Sequence, residues 1–236
     1  MRNRTRTVIW KAAAALAAVI TVGACSGTPH PRSITLTFIR HAESQSNAAH
    51  VINTDIPGPS LTEEGQGQAE QLAHQLSRNN FDGVYASDMI RTQQTAEPLA
   101  HALGKRVDVL PGLREIEAGW YNNTPNKRAD LTYLLAPADW LNGDLRDAVP
   151  GSISGEQFND QFTAAVQKIY DSGNSRPVAF SHAESIMYWT LMNFKNPKDS
   201  QATSHRLPNL GRVVITGSPA AGWTLVDWDG IRDFSY

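Results

Sequence analysis

Short apolar runs alternate along this chain with segments in which apolar residues recur every three or four positions. The runs at 34–39, 83–86, 106–110 and 177–181 are rich in β-branched, aromatic and small residues, a composition typical of buried strands. Between them lie segments with the apolar spacing of amphipathic helices. This alternation of strand and helix predicts a mostly parallel sheet with helices on both faces.

Two helices are predicted in the first half of the chain. Residues 62–77 have apolar side chains at i, i+3, i+4 and i+7, and Thr62 is the predicted N-cap. A second apolar stripe ends before Gly104. Pro98 lies inside this stripe, and because proline lacks an N–H and collides with the preceding turn, a break is expected between residues 91 and 98.

The second half of the chain contains two further predicted helices and a hairpin. The segment Ser154–Gln157 matches a capping box ahead of a helix that reaches about residue 171. The next helix covers about 184–194. Apolar and β-branched residues at 211–216 and 223–228 flank a turn with Gly and Pro, which predicts a hairpin at an antiparallel edge of the sheet.

The segment 111–151 has the least regular pattern, which predicts short helices and loops lying over a cleft. The fold class expected from all these elements is α/β. More specifically, we expect a three-layer α/β/α sandwich with a mostly parallel central sheet. The length of the chain suits one such domain.

The N-terminus has the composition of an export signal. Four basic residues precede an apolar stretch that begins at Ala12 and ends in small residues just before Cys25. The stretch is too short for a membrane-spanning helix, which needs about 20 apolar residues. Val22–Cys25 (VGAC) resembles a lipobox, so residues 1–24 are predicted to be a lipoprotein signal peptide and Cys25 to carry a lipid anchor. The alternative is an ordinary secretory signal in which Cys25 is incidental.

This interpretation divides the chain into the signal peptide, a tether at 25–33 and a folded domain at 34–236. We expect the mature protein in the cell envelope, lipid-anchored to the outer face of the cytoplasmic membrane, or secreted. Removing residues 1–24 takes away four basic side chains and no acidic one, so the formal net charge moves from −2 to −6. No electrostatic footprint for nucleic acid remains. Cys25 is the one cysteine, which excludes an intramolecular disulfide.

Two histidines occupy the positions at which doubly wound sheets bind ligands. His41 and His182 each come directly after a predicted strand and before a predicted helix, and both begin a His-Ala-Glu-Ser tetrad. Ligands bind beyond the carboxyl ends of parallel strands, where loops and helix N-termini converge. A basic residue, Arg40, precedes only the first histidine. We therefore expect a ligand site that contains both histidines.

Four segments, in order, resemble the motifs of one enzyme family. Residues 39–47 (IRHAESQSN) resemble an R-H-G-x-x-x-x-x-N motif, and residues 87–96 (SDMIRTQQTA) resemble S-x-x-x-R-[TA]-x-x-T-A. Residues 113–119 (LREIEAG) are similar to an L-x-E-x-x-x-G stretch, and 178–183 (VAFSHA) to a strand that ends in S-H-G. On these motifs the chain is identified as a member of the histidine phosphatase (phosphoglycerate mutase-like) superfamily, branch 1, over about 34–190.

The resemblance implies a role for each matching residue. Phosphoryl transfer needs an in-line nucleophile, fixed positive charge around the phosphate oxygens and a proton for the departing group. His41, as a neutral imidazole, is the predicted nucleophile and would form a phosphohistidine. Glu115 is the predicted general acid, and Glu117, two residues away, is the alternative. His182 completes the catalytic set, and the predicted phosphate-binding residues are Arg40, Asn47, Arg91 and His182.

Three features depart from the family pattern. Alanine replaces glycine after each histidine, at Ala42 and Ala183, and would be strained if either position needs a positive φ. Residues 121–123 (Tyr-Asn-Asn) stand where Trp-Glu-Gly is common, and Asn123 is suited to a left-handed conformation. Glu184 follows the second histidine, and its carboxylate would repel phosphate unless it turns outward or pairs with a nearby basic side chain.

Some of these residues also have a purely structural interpretation. Arg91 could lie on the polar face of its helix, Asn47 could cap a helix, and His182 could be a core histidine with its hydrogen bonds satisfied. The remaining histidines show no metal-ligand spacing. Neither a metal site nor a cofactor is predicted.

The predicted function is a metal-independent phosphomonoester hydrolase with a small-molecule phosphomonoester as substrate. A non-catalytic, phospholigand-binding lipoprotein is the alternative from another class, motivated by Ala42 and Ala183. A phosphoglycerate mutase is disfavoured because the 67 positions from Glu115 to His182 are at the short, phosphatase-like end for this superfamily. The sequence leaves the oligomeric state open and is compatible with a homo-oligomer.

Overall fold

A computed structural model describes residues 32–194 and 205–232. The predicted signal peptide, Cys25 and most of the tether at 25–33 lie outside the described residues. Within the described ranges, six strands form one sheet in the order β3-β2-β4-β1-β5-β6. The strands are β1 (Ile34–Arg40), β2 (Gly83–Ala86), β3 (Val107–Val109), β4 (Pro177–Ser181), β5 (Arg212–Ser218) and β6 (Gly222–Trp228).

Parallel strands form one side of the sheet and an antiparallel hairpin forms the other. β4 pairs in parallel with β1 and with β2, and β2 pairs in parallel with β3. β5 runs antiparallel to β1, and β6 pairs with β5 to form the hairpin. The predicted mostly parallel sheet with an antiparallel edge is confirmed. The two strands that precede the histidines, β1 and β4, are direct neighbours.

Alternate residues of β1 point to opposite faces of the sheet, and helices cover both faces. Phe38 packs with Phe162 and Trp189, whose ring centroids lie 5.6 and 5.8 Å from the Phe38 ring. Ile39, the next residue, belongs to a second buried cluster that includes Leu72. The predicted three-layer sandwich is therefore confirmed. Its helices are α1 (Gln45–Ala48), α2 (Glu63–Leu76), α3 (Ile90–Ala102), α4 (Leu135–Leu141), α5 (Gly155–Asp171) and α6 (Ala183–Asn193).

Local side-chain chemistry starts the predicted helices where expected. The Thr62 hydroxyl accepts a hydrogen bond from the Gly65 N–H at 2.9 Å and caps α2. Ser154 and Gln157 form the predicted capping box ahead of α5. The predicted short helices of the irregular region are also confirmed. Besides α4, they are the 3₁₀ turns Pro111–Leu113, Gly119–Tyr121 and Asn126–Leu131.

The predicted break before Pro98 is wrong. α3 is continuous, with Pro98 in its interior. Proline removes the hydrogen bond to the carbonyl of Gln94, and both residues line a surface groove. The other face of α3 buries Ala96 and Leu99 in the cluster that contains Ile39, and this packing keeps the helix continuous.

The last helix, α6, is buried by protein contacts on several sides. Every residue from Ser185 to Leu191 is buried. α6 packs against α4, α5, β1 and β6, which accounts for its apolar composition. Across the described ranges, no helix is both long enough and apolar enough to cross a membrane.

Two glycines of α2 provide a matched test of the packing next to the site. A Cβ atom at Gly65 would lie 2.0 Å from the carbonyl oxygen of Glu43, whereas one at Gly67 would meet nothing within 4 Å. We predict that Gly67→Ala stabilises the protein by about 0.5–1 kcal/mol, because alanine is the better helix former. Gly65→Ala should destabilise it by about 1–3 kcal/mol, because the Glu43 backbone must move. Denaturant unfolding measures both free energies, and two changes of the same sign would contradict the predicted contact.

Candidate active site

The C-terminal ends of β1 and β4 bring the two predicted histidines together. The parallel register pairs Arg40 with Ser181, so the next residues, His41 and His182, leave the sheet side by side. Their ring centroids are 5.2 Å apart. A cavity of about 240 Å³ lies at this edge of the sheet. The predicted site residues that line it are Arg40, His41, Asn47, Arg91 and Glu115.

Hydrogen bonds define a neutral tautomer of His41. Its Nδ1 atom lies 2.7 Å from the carbonyl oxygen of Ala42, which can only accept, so Nδ1 carries the proton. Its Nε2 atom accepts a hydrogen bond from Nε of Arg91 at 3.1 Å. Burial, followed by the charges of Arg91 and Arg40, holds the pKa of His41 well below its usual value of 6.5. Nε2 is therefore unprotonated, and its lone pair is engaged by the Arg91 guanidinium.

Two arginines of the cavity wall carry buried donors that have no partner within the described ranges 32–194 and 205–232. Arg91 is 2% exposed, and its Nη1 atom makes no hydrogen bond. Arg40 donates through Nη1 to the carbonyl oxygen of Leu207 at 2.6 Å, but its Nε atom has no partner. Burial lowers the pKa of Arg91 to about 10, which leaves it charged at neutral pH. Buried cationic donors without partners are costly, so this arrangement favours a bound anion.

Arg91 is buried, so it does not lie on an exposed polar face of α3, which was the structural interpretation of this residue. The cavity wall combines the guanidiniums of Arg40 and Arg91 with the carboxylates of Glu115 and Glu184. Among the described residues, no group of three or more His, Cys, Asp or Glu side chains is placed to hold a metal ion. The chemistry of the unpartnered donors thus points to an anionic group as the ligand.

His182 is fully buried beside His41 and is not part of the cavity wall. Its Nε2 atom lies 2.9 Å from the Ser87 hydroxyl, whereas its Nδ1 atom has no partner in the part of the chain that the structure describes. The Ser87 hydroxyl also lies 2.8 Å from the Thr92 hydroxyl, which can donate to the Met89 carbonyl oxygen at 2.8 Å. Burial is the largest of the causes that hold the pKa of His182 well below 6.5. The unpartnered Nδ1 atom shows that the surrounding core does not satisfy all the hydrogen-bonding groups of this histidine.

The carboxylate of Glu115 lines the cavity and also caps α6. Its Oε1 atom accepts hydrogen bonds from the backbone N–H groups of Ser185 at 2.8 Å and Ile116 at 3.0 Å, and Oε2 accepts from Glu184 at 3.3 Å. Burial raises the pKa of Glu115 above its usual value of 4.5 and outweighs these hydrogen bonds, which lower it. Glu117 does not line the cavity. The geometry therefore favours Glu115 over Glu117 as a residue that meets a ligand.

Glu184 adopts one of the two arrangements expected from the sequence, a pair with a basic side chain. Its Oε1 atom lies 3.6 Å from Nη1 of Arg206. Arg206 also forms an ion pair with Asp130. Burial, followed by the charge of Glu115, raises the pKa of Glu184 to about 7. Arg206 therefore offsets part of the repulsion that Glu184 would exert on an anion.

The alanines that replace the family glycines are not strained. Neither Ala42 nor Ala183 is among the described residues with a positive φ. The Ala42 N–H donates to the Thr95 hydroxyl at 3.0 Å, and Ala183 is the first residue of α6. Asn123, by contrast, has the predicted left-handed conformation, with φ 62°. Its side chain accepts a hydrogen bond at 2.8 Å from Asn53, a residue of the cavity wall.

Asn47 lines the cavity and also takes part in the capping box of α1. Its backbone N–H donates to the Ser44 hydroxyl at 3.3 Å, and its Oδ1 atom accepts from the Ser44 N–H at 3.2 Å, which forms a capping box on α1. Oδ1 also accepts from Nδ2 of Asn209 at 3.1 Å. The helix that follows His41, α1, is four residues long.

Three residues that hold the site together were assigned no role from the sequence. Arg206 pairs with Glu184, and Asn209 donates to the carbonyl oxygen of His41 at 2.9 Å. Both precede β5, in a segment without a recognisable motif. Ser87 lies in the motif that contains Arg91, so the sequence marked its position without indicating its contact with the second histidine.

Residues 36–230 match the histidine phosphatase superfamily, branch 1. The match covers most of the chain and includes all the predicted catalytic and phosphate-binding residues. The chain belongs to this superfamily, and the family membership predicted from the four motifs is confirmed.

Two relatives extend over most of this domain. A PE-PGRS family protein of Mycobacterium tuberculosis is 44% identical over 216 residues, which are 85% of this chain and 37% of that protein. A Cronobacter sakazakii protein named "Probable phosphoglycerate mutase GpmB" is 30% identical over 200 residues, which are 80% of this chain and 89% of that protein. The chain therefore spans little more than a third of the first relative and nearly all of the second.

Solved structures support the fold at low sequence identity. A mycobacterial glucosyl-3-phosphoglycerate phosphatase has a TM-score of 0.69 at 20% identity, covering 85% of this chain and 100% of that chain. Phosphoserine phosphatase from Entamoeba histolytica, in complex with 3-phosphoglyceric acid, has a TM-score of 0.65 at 21% identity, covering 84% of this chain and 100% of that chain. Both agree with the three-layer architecture described above.

The unpartnered arginine donors predict that the protein binds inorganic phosphate. Arg91→Ala should weaken binding by about 10- to 100-fold, because hydrogen bonds from charged donors contribute about 1.5–3 kcal/mol. Arg91→Lys should restore part of the affinity, since lysine keeps the charge but not the forked donors. Isothermal titration calorimetry measures all three affinities. The control is Arg106→Ala, whose side chain is 87% exposed. Equal affinity in the wild type and Arg91→Ala would contradict the predicted anion site.

Proposed function

We propose that this protein is a metal-independent hydrolase of small-molecule phosphomonoesters that acts through a phosphohistidine on His41. The observation that carries the proposal is the pairing of a neutral imidazole with unpartnered cationic donors. Nε2 of His41 lies 3.1 Å from Nε of Arg91, and Nη1 of Arg91 and Nε of Arg40 have no partner. A phosphate in the cavity would satisfy these donors and meet the nucleophile. Membership of the histidine phosphatase superfamily supports the same chemistry.

In the first step, Nε of Arg91 gives up its hydrogen bond to Nε2 of His41 in favour of the phosphate, and the freed Nε2 lone pair attacks the phosphorus atom of the bound ester. The N–P bond forms while the bond from phosphorus to the leaving oxygen breaks. The ring becomes a phosphorylated imidazolium, which keeps its Nδ1 proton in the hydrogen bond to the Ala42 carbonyl. Arg40 and Arg91 stabilise the negative charge on the phosphoryl oxygens during transfer.

Glu115 moves the protons of both steps. In its neutral form, which the raised pKa favours, it donates a proton to the departing oxygen. Water then attacks the phosphorus, and the Glu115 carboxylate accepts the proton that this water loses. The N–P bond breaks, inorganic phosphate leaves, and His41 returns to its neutral form.

His182 and Asn47 complete the phosphate site in this proposal. The ring proton is assigned to Nδ1, with Thr92 donating to Ser87 and Ser87 to Nε2 of His182. Nδ1 would then donate to a phosphoryl oxygen held against the neighbouring His41 ring. Asn47 uses its Oδ1 atom in hydrogen bonds to Ser44 and Asn209, so its Nδ2 group is the one that contributes.

Metal independence is proposed because the two arginines supply positive charge of the kind that Mg²⁺ or Zn²⁺ provides in other phosphatases. The purified protein should hydrolyse p-nitrophenyl phosphate after exhaustive chelation with EDTA. Release of p-nitrophenolate, followed by absorbance, measures this. Activity that disappears with EDTA and returns with a divalent cation would contradict metal independence.

Turnover also distinguishes the two alternative functions. A non-catalytic, phospholigand-binding protein was suggested by the alanines after the histidines, but both have an unstrained backbone. A mutase is suggested by the name of the Cronobacter sakazakii relative, whereas two structural neighbours are named as phosphatases. Release of inorganic phosphate supports the hydrolase. Conversion of 3-phosphoglycerate to 2-phosphoglycerate without release would support the mutase, and binding without turnover the non-catalytic protein.

We further propose that the protein is exported and anchored by lipid on Cys25 to the outer face of the cytoplasmic membrane. The support is the charge and apolar pattern of residues 1–24 and the VGAC sequence. Stable anchoring needs more than one acyl chain, as bacterial lipoproteins carry. Cys25→Ala should abolish the incorporation of a labelled fatty acid, and a wild type that takes up no label would contradict the lipid anchor.

The role of Glu115 predicts a dependence on the leaving group. A general acid matters most when the departing oxygen is strongly basic, and its removal typically costs about 10²–10⁴-fold in rate. Glu115→Gln keeps the size of the side chain but cannot donate a carboxylic proton. The phosphorylation rate should therefore fall far more for an alkyl phosphate than for p-nitrophenyl phosphate. Rapid-quench measurement of that single step is required, because a shared dephosphorylation step would mask the difference.

The matched control for this experiment is Glu117→Gln. Glu117 lies two residues away and outside the cavity wall, so its substitution should affect both substrates mildly and equally. Equal losses on both substrates in Glu115→Gln would contradict its role as the acid. A leaving-group-dependent loss in Glu117→Gln would move that role to Glu117.

A further inference from the structure

Glu184 brings a carboxylate oxygen without a partner to the cavity. Its side chain is 15% exposed, and Oε1 lies 3.6 Å from Nη1 of Arg206. Oε2 is buried and accepts no hydrogen bond from any residue that the structure describes. A buried acceptor in this condition carries a desolvation penalty, which a donor on a ligand would remove. Glu184 and Arg206 both line the cavity, so a ligand bound there lies against both residues.

The backbone and the side chain of Glu184 face different partners. Its backbone N–H donates to Oε2 of Glu115 at 3.3 Å, whereas its carboxylate pairs with Arg206, which also pairs with Asp130. Neither Arg206 nor Asp130 belongs to the set of residues that contacts His41.

Arg206 is half exposed, with 50% of its side chain accessible. The Glu184–Arg206 pair therefore borders the outer part of the cavity. With the phosphoryl group held against His41, this is the part that receives the alcohol portion of an ester.

We propose that Glu184 and Arg206 form a subsite that selects the alcohol portion of the substrate. This inference rests on the proposed phosphatase function. The subsite accepts a neutral, hydroxyl-bearing group, which donates to Oε2 of Glu184. It disfavours a carboxylate at the same place. The preferred substrates are therefore phosphomonoesters of polyols or sugars rather than of hydroxy acids.

The charge balance of the subsite explains this selectivity. One guanidinium, Arg206, is shared between two carboxylates, Glu184 and Asp130. A carboxylate on the ligand would add a third negative charge and could not donate to Oε2. An ammonium group would face Arg206. A hydroxyl group satisfies Oε2 without either repulsion.

A matched pair of substrates tests the subsite. Glycerol 3-phosphate and 3-phosphoglycerate differ mainly in a CH₂OH group that replaces a carboxylate. The assay is run at pH 8, above the Glu184 pKa of about 7, so that this side chain is mostly ionised. The wild type should prefer glycerol 3-phosphate by at least tenfold in kcat/KM. Glu184→Gln, which removes the charge, should reduce this ratio at least tenfold.

Two further variants control the interpretation. Arg206→Gln leaves the carboxylates without their counter-charge and should move the preference in the opposite direction, further towards glycerol 3-phosphate. It also keeps the proposal testable if Glu184→Gln does not fold. Glu117→Gln removes a carboxylate outside the cavity wall and should leave the ratio within about twofold of the wild type.

The outcomes separate this inference from the proposed function. A wild type that prefers 3-phosphoglycerate, or a ratio unchanged in both Glu184→Gln and Arg206→Gln, overturns the subsite while phosphatase activity stands. If p-nitrophenyl phosphate and both esters are not hydrolysed at all, the proposed function fails. In that case the binding affinities of the two esters, measured by calorimetry in the wild type and the same variants, test the subsite. The affinity ratio of glycerol 3-phosphate to 3-phosphoglycerate should then change as predicted for kcat/KM.

Discussion

The parallel pairing of β1 with β4 is the constraint on which the site depends. It aligns Arg40 with Ser181, so the residues that follow, His41 and His182, leave the sheet at one edge with their rings 5.2 Å apart. The residues between these strands in the chain then close around that point. Asn209 donates to the carbonyl oxygen of His41 and links the segment before β5 to the same edge.

A balance of burial and charge gives this site its chemical character. Burial and two nearby guanidiniums keep His41 neutral, with the proton on Nδ1 and the lone pair of Nε2 facing Arg91. Burial raises the pKa of Glu115 even though backbone N–H groups favour its ionised form. A neutral imidazole and a carboxyl group whose raised pKa favours its protonated form are the pair that the proposed phosphoryl transfer needs.

The departures from the family pattern concern the ligand more than the backbone. Ala42 and Ala183 replace glycines without requiring a left-handed conformation. Glu184 instead brings a carboxylate to the cavity and is held by Arg206. The catalytic arrangement and the proposed selectivity thus rest on different residues of one cavity.

Features encoded locally were predictable from the sequence, and features that depend on distant contacts were not. The caps at Thr62 and Ser154 act within three residues, and the short periods of strands and helices gave the correct three-layer architecture. The expected break at Pro98 was wrong because burial on the far face of α3 keeps the helix continuous.

The same distinction applies to the site. The motif residues Arg40, His41, Asn47, Arg91 and Glu115 do meet at one cavity. Asn209 reaches His41 across 168 positions of sequence, and neither it nor Arg206 lies in a pattern that a single sequence reveals. Contacts of this kind depend on how the whole chain folds.

The central claim is that His41 carries the phosphoryl group between the two steps, and trapping the phosphoenzyme tests it most directly. Wild type mixed with a radiolabelled phosphomonoester and quenched rapidly should yield a labelled protein that is stable to base and labile to acid, as expected of phosphohistidine. His41→Ala should yield none. A labelled protein that persists in His41→Ala would show that another residue is the nucleophile and would contradict this account.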